Sequence, residues 1–174
     1  MRKTLTTLPV LCALVAFAAS AQQPTLQSLA DELDLQRIPA LVEAAVDRKD
    51  WAAARAHFAD QVRIDFTSLT GGEPATIPSN ALIAGWSGNL KGDKQSLHIR
   101  GHALVEVSGD RATVRSSGYA WNRKPGGPNG DLWEVWGHYI HDFARTPQGW
   151  RIVGFAFQKT HERGSAWVRD TPGS

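Results

Sequence analysis

One cysteine and one methionine are all the sulfur that the 174 residues contain. Cys12 lies inside the amino-terminal segment "MRKTLTTLPVLCALVAFAASAQQ". Beyond it there is no thiol, which excludes disulfides, thiolate nucleophiles and cysteine-ligated zinc. An excess of charge of one sign is missing too. Of 19 basic residues two, Arg2 and Lys3, fall in the first three positions, which leaves 17 against 17 acidic ones. Such a balance has neither the basic footprint of nucleic-acid binding nor that of anionic lipid. No internal repeat and no low-complexity linker interrupts the chain. There is no G-x-S-x-G elbow, phosphate loop or dinucleotide fingerprint, so nucleophilic serine and nucleotide chemistry are unsupported. "PGGPNG" holds glycines, but also two prolines, and no helical pattern follows it.

The one long apolar run, Leu8 to Ala19, follows two basic residues and precedes Ala19-Ser20-Ala21. That pattern predicts a secretory leader cleaved after Ala21 and a periplasmic or secreted product. The run is shorter than the ~20 residues of a membrane span, so no membrane association is expected once the leader is removed. The remaining 153 residues suffice for one domain with a sizeable core. Seven tryptophans are many for that length. Core packing is the first use expected of each, and lining an apolar pocket the second.

Residues 22–34 predict a short helix behind a loose end. A longer helix is expected from about Ile38 to Lys49, where Ile38, Leu41, Val42, Ala45 and Val46 recur at spacings of three and four. Pro39 fits its first turn, where a missing N–H costs little. Asp50 is placed to cap a second helix, "WAAARAHF". "QVRIDF" alternates as a strand, "TSLTGGEPATIPSN" reads as a loop, and Ser79 or Asn80 caps a third helix, "ALIAGW". From residue 96 four long strands follow, joined by short turns and so mostly antiparallel. Helices first and a curled meander afterwards make an α+β domain with a conical cavity, a default place for a small ligand.

Histidines invite a metal reading that their spacing does not support. His98 and His102 lie on a strand, where four residues advance about 13 Å. They are expected to point the same way but too far apart for one ion. His138 and His141, three apart on a strand, face opposite sides. Acid–base chemistry remains. Asp47, near a helix end, and His98, at a strand start, are the residue types of an oriented general base. Spacing alone favours plainer roles: an edge-strand histidine bonded to backbone or water, and a solvated carboxylate. At about 100° per residue, Asp47 falls opposite the stripe of Ile38, Val42 and Ala45.

The ordered stretches "ALVEAAVDRKDWAAARAHFADQVRIDF", "GGEPATIPSNALIAGW", "HIRGHALVEVSGDRATV", "WEVWGHYIHDFARTPQGWRIVGF" and "HERG" resemble the SnoaL-like branch of the nuclear transport factor 2-like superfamily. That branch includes scytalone dehydratase, bile-acid dehydratase and polyketide cyclases. The resemblance covers about 35–164 and leaves 165–174 as a tail. It implies a cone-shaped, strongly curved mixed or antiparallel sheet closed by about three amino-terminal helices. In the dehydratase, "D-S-K-D-W" is similar to Asp47-Arg48-Lys49-Asp50-Trp51 here, which makes Asp47 the counterpart of its pocket aspartate and His98 that of its catalytic histidine. There the aspartate orients the histidine, which removes a proton α to a carbonyl, without metal or organic cofactor.

The departures are informative. Val46 and Phe66 stand where the dehydratase has tyrosines, and its second catalytic histidine maps near Asn122. These changes point away from scytalone dehydration itself and toward a more apolar pocket, with Phe66, Trp86, Tyr139 and some of Trp121, Trp133 and Trp136 in its walls. The expected ligand is a small apolar carbonyl compound. Two functions stay open, a lyase or isomerase using Asp47 and His98, and a non-catalytic binding module. The resemblance also implies a homodimer through the outer sheet face, with Trp121 or Trp133 among its contacts.

Overall fold

A computed structural model describes residues 23–174; the expected leader and Cys12 lie outside them. Six strands form one mixed sheet in the order β2-β1-β6-β5-β4-β3. They are β1 (Phe58–Asp65), β2 (Ala75–Pro78), β3 (Gln95–Ser108), β4 (Arg111–Arg123), β5 (Leu132–Thr146) and β6 (Gly149–Gly164). The β1–β6 pair is parallel and every other pair antiparallel. The sheet curves without closing, and helices α1 (Leu26–Asp47), α2 (Trp51–Arg55) and α4 (Ser79–Asn89) fill its concave side. Two short helices, α3 (Thr67–Thr70) and α5 (Ala166–Asp170), complete the described chain. The fold is the expected α+β cone. No helix among the described residues is long and apolar enough to cross a membrane.

The short helix and the longer one expected to follow it are a single helix of 22 residues that runs through Pro39. One proline inside a helix costs about 3 kcal/mol. Leu35, Ile38, Val42, Ala45 and Val46 form one continuous buried face across it, and each large apolar side chain contributes ~1.5–3 kcal/mol on burial. Burial therefore outweighs the break. The amino end is fixed by a capping box between Thr25 and Ser28. One turn further in, Asp31 accepts a fork from Arg145 at 2.8 and 2.6 Å and the Trp150 indole N–H at 3.1 Å, which ties α1 to the β5–β6 hairpin.

Asp50 caps α2 as expected, accepting from the Ala53 amide at 3.1 Å. The helix stops at Arg55 rather than Phe58. Phe58 instead opens β1 as a buried residue edge-on to Trp86, so tertiary burial overrides the helical pattern. The stretch expected as a loop contains α3 and β2, whose Ile77 pairs with Val62 of β1. Neither Ser79 nor Asn80 caps α4. The Ser79 hydroxyl donates to the Asp60 carbonyl at 3.2 Å, and Asn80 accepts from Arg55 at 2.7 Å. Helix α4 also continues past Trp86 to Asn89.

The last ten residues pack back on the body. Lys94, wholly buried, donates to Asn89 Oδ1 at 2.6 Å and to the carbonyls of Arg169 and Thr171 at 3.0 and 3.1 Å. That uses all three protons of an ammonium group. Burial lowers its pKa to about 8.

Candidate active site

Asp47 is the final residue of α1, where β3 crosses the helix end. Its carboxylate accepts three hydrogen bonds from that strand: the Ser96 hydroxyl at 2.8 Å, the His98 backbone N–H at 2.9 Å and His98 Nδ1 at 2.7 Å. The helical wheel had placed this residue in solvent, and that expectation is overturned. Its side chain is only 15% exposed, because the crossing strand covers a face that α1 alone leaves bare. Burial by itself would raise the Asp47 pKa. The bonds from His98 and Ser96, and the charge of His98 when its ring is protonated, outweigh it, so the carboxyl is held below its ordinary range. An ionised carboxylate can only accept, so Nδ1 carries the proton, and in the neutral form of the ring Nε2 keeps the free lone pair. No described residue bonds to Nε2.

A second charge pair stands beside the first. Glu43, one turn before Asp47 on the same face of α1, takes Arg100 of β3 in a bidentate fork, one arm of which is Nε to Oε2 at 3.1 Å. Both side chains are buried. Arg100 also donates to the Ser116 hydroxyl, and its guanidinium lies 4.4 Å over the Tyr139 ring. The ring reaches that place because Gly118 stands under it: a Cβ there would lie 2.1 Å from Tyr139 Cε2. Behind Tyr139, the wholly buried His141 stacks on Phe155 with ring centres 4.4 Å apart. Burial, and then the Arg100 charge, push the His141 pKa well below the usual value. It stays neutral, with Nδ1 unpaired among the described residues.

His98 opens onto a cavity of about 580 Å³ between α1, α4 and the sheet, within the ordinary range for small-molecule sites. Phe66, Trp86, Phe155 and Phe157 make an aromatic wall, with Val42, Val46, Ile64 and Leu82 beside it. Phe66 and Trp86 both meet Phe155 edge-on, at 5.1 and 5.8 Å between ring centres. Polar groups are few: Glu43 from α1 and His98, Asn122 and Tyr139 from the sheet, with Thr70, Asn89, Arg169 and Asp170 besides. Asn122 Oδ1 is buried and has no partner among the described residues. Burial, with Glu43 nearby, raises the Tyr139 pKa beyond that of an ordinary phenol, so its hydroxyl remains a donor.

A SnoaL-like domain profile matches residues 27–156, most of the chain. The chain belongs to the SnoaL-like family. Among solved structures, the Kfla4162 protein from Kribbella flavida matches with a TM-score of 0.77 and 24% identity, covering 82% of this chain and 99% of that one. A candidate scytalone dehydratase from Novosphingobium aromaticivorans has a TM-score of 0.68 at 16% identity, over 83% and 93% of the two chains. The hexachlorocyclohexane dehydrochlorinase LinA-type3 from Novosphingobium barchaimii gives 0.65 at 14%, over 84% and 98%. Likeness at these identities establishes the nuclear transport factor 2-like fold alone. No curated protein matches the chain significantly in sequence.

In this SnoaL-like domain Val46, Phe66, Trp86, His98, Asn122 and Tyr139 all line the one cavity, and Asp47 stands behind His98. Of the three tryptophans considered for its walls, only Trp133 lines it. Trp133 is therefore not available to an outer-face contact. Trp136 lies on the outer face between Tyr119 and His161, with Trp121 one row away. His102 does not share the direction of His98. A bulge between Gly101 and Leu104, with His102 at φ 54°, turns its side chain outward. His138 and His141 do face opposite sides, exposed and buried. Among the described residues no three His, Cys, Asp or Glu side chains converge as a metal site. Sequence reasoning missed Glu43 and Arg100. The available signal was the i, i+4 relation of Glu43 to Asp47 matched by the i, i+2 relation of Arg100 to His98, two same-face spacings on crossing elements.

Proposed function

We propose that this SnoaL-like protein is a cofactor-independent lyase or isomerase whose base is His98, oriented by Asp47. The observation that carries the reading is the 2.7 Å contact between Asp47 and His98 Nδ1 at the wall of an apolar cavity. His98 Nε2 takes a proton from the carbon next to a substrate carbonyl. The C–H electron pair moves into an enolate, and its oxygen accepts a hydrogen bond from the Tyr139 hydroxyl. That pair then returns to form the Cα–Cβ double bond as a β-substituent leaves with the electrons of its own bond to carbon, or the proton returns at another carbon. Asp47 holds the imidazolium formed meanwhile, and the aromatic wall keeps water from the enolate. The dehydratase and dehydrochlorinase descriptions of two structural neighbours agree with a lyase.

Val46 and Phe66 favour a second reading, a binding module without turnover, because both offer methyl or ring carbon where the dehydratase has hydroxyls. Deuterium exchange separates the two. The protein is incubated in D2O with cyclic aryl ketones such as 1-indanone and 1-tetralone, and loss of the α-proton signal is followed by NMR. Exchange that disappears in His98→Ala supports the enzyme. Exchange no faster than with His98→Ala for every ketone tried favours the binding module.

The leader pattern of residues 1–21 supports export to the periplasm or beyond, which amino-terminal sequencing of the natural protein tests. The outer row of Ile99, Tyr119 and Trp136 on neighbouring strands supports pairing with a second copy. Light scattering that gives a monomer mass at micromolar concentration would refute that pairing.

A further inference from the structure

Among the described residues Arg169 is the one arginine or lysine in the cavity lining, with Arg100 and Lys94 behind that lining, and each of the three is already bonded to a partner within the chain. Arg100 is the nearest to His98, two residues along the same strand face, and Glu43 occupies it with both carboxylate oxygens. Arg169, at the far end of the cavity, donates to both oxygens of Asp170 at 2.7 and 3.0 Å and to Glu162 at 3.3 Å. Lys94, beside the same end, gives all three protons to Asn89, Arg169 and Thr171. The polar groups of the lining nearest His98 on the sheet are neutral: the Asn122 carboxamide, whose buried Oδ1 has no partner among the described residues, and the Tyr139 hydroxyl. Around His98 the charges of Glu43 and Arg100 cancel, and Asp47 leaves a net negative wall while the imidazole is neutral.

We infer that the cavity takes an uncharged, ring-bearing carbonyl compound and rejects its carboxylate congeners, and that Glu43 sets this selectivity by masking Arg100. This rests on the cavity being the ligand site of the function above, but not on turnover. A carboxylate entering beside His98 meets Glu43, with the charge of Asp47 behind the ring, and finds no guanidinium free to form the fork that normally recognises it. Its desolvation on entering an aromatic chamber goes uncompensated. A ketone of the same size loses little water and can take a hydrogen bond from Tyr139 or Asn122. Glu43 is suited to the masking role because it is a carboxylate that both lines the cavity and contacts Arg100. Without its charge, the guanidinium is left 4.4 Å above a ring that forms the cavity wall.

Binding of 2-acetylnaphthalene and 2-naphthoate, near in size and different in charge, tests both halves. Quenching of tryptophan fluorescence or calorimetry near neutral pH gives the two affinities. The natural chain is expected to bind the ketone at least about tenfold more tightly than the carboxylate. Glu43→Gln is expected to close that gap to within about threefold or to reverse it. Should Glu43→Gln fail to fold, Glu43→Asp keeps a charge but draws it one methylene back from the cavity, and is expected to narrow the gap in the same direction. Equal or tighter naphthoate binding by the natural chain, failure of both probes to bind, or an unchanged ratio in the folded variant would each overturn the inference. Because these readouts need no chemistry, they stand apart from the His98 exchange experiment. That experiment can fail while the charge selectivity holds, and the reverse.

Discussion

Nδ1 of His98 lies 2.7 Å from Oδ1 of Asp47, across 51 residues of sequence, and the other carboxylate oxygen takes the backbone N–H of the same histidine. Ring and main chain are thus gripped by one side chain, which fixes both the tautomer and the depth to which the imidazole enters the cavity. Asp47→Asn keeps the shape and removes the charge. A carboxamide that turns its NH2 toward the ring makes Nδ1 an acceptor and moves the proton to Nε2, where no base remains. We expect α-proton exchange to fall by about 10²–10⁴, with ligand affinity little changed. Nitrogen NMR of His98 should report the exchanged tautomer. A stability loss of ~1–3 kcal/mol is expected for the weakened buried bonds.

Asp31 gives a pH dependence whose direction is fixed by its partners. The Arg145 fork, opposed by burial and helped by Trp150 and Gln27, lowers its pKa from 3.8 to about 2. A carboxyl whose folded pKa lies below the unfolded one contributes stability at pH above about 4. That contribution is lost as the pH falls toward 2. Asp31→Asn is expected to lower the melting temperature at neutral pH and to flatten the loss of stability between pH 4 and 2. A parallel pair of melting-temperature curves across that window would refute the assignment.

The meander and its helices were legible because their signals are local: alternation in the last four strands, turn residues between them, an aspartate in front of "WAAAR". Fusion of the first two helices was not, because the gain from burying a face on both sides of Pro39 depends on a sheet that folds from distant sequence. The direction of His102 depends on a bulge, and one extra residue in a strand reverses every side chain after it. Asp47 shows the same limit at the site. The wheel of α1 describes one helix correctly and says nothing of a strand laid across its end 51 residues later. Likeness to a family supplied what periodicity could not, but only for Asp47 and His98. Glu43 and Arg100 became visible only when α1 and β3 were seen to cross.

Tyr139 is held by what Gly118 lacks. Gly118→Ala would set a Cβ 2.1 Å from Cε2 and 2.4 Å from Cδ2 of the Tyr139 ring, too close for any rotamer to absorb without moving the ring off Arg100. We expect a cost of ~1–3 kcal/mol, the usual price of overpacking, and weaker binding of aryl ketones. Tyr139→Phe is the control. It keeps the ring, the guanidinium contact and most of the stability, and loses only the hydroxyl, so exchange should slow while ketone affinity falls modestly. If Gly118→Ala binds and exchanges like the natural chain, the seating of this ring has no part in the site.

The carboxyl end makes a different prediction, because Arg169 and Asp170 of α5 stand in the cavity lining and Lys94 donates to the Arg169 carbonyl. Lys94→Met fills the same space and donates nothing. Asn89 Oδ1 and the carbonyls of Arg169 and Thr171 then lose a donor together, at ~1–3 kcal/mol for each group left buried and unpaired. The cheaper outcome for the chain is to let residues 165–174 detach, so that water satisfies those groups. The Gly173 amide, bonded to the Asn89 carbonyl at 3.0 Å, should exchange its hydrogen far faster than before, and carboxypeptidase should trim the tail. Protection in the central β5 and β6 amides should change little. Ligand dissociation should quicken with the cavity opened at that end. Equal protection of Gly173 in Lys94→Met and in the natural chain would mean that apolar packing of Val168 and Trp167, rather than the ammonium, seats the tail.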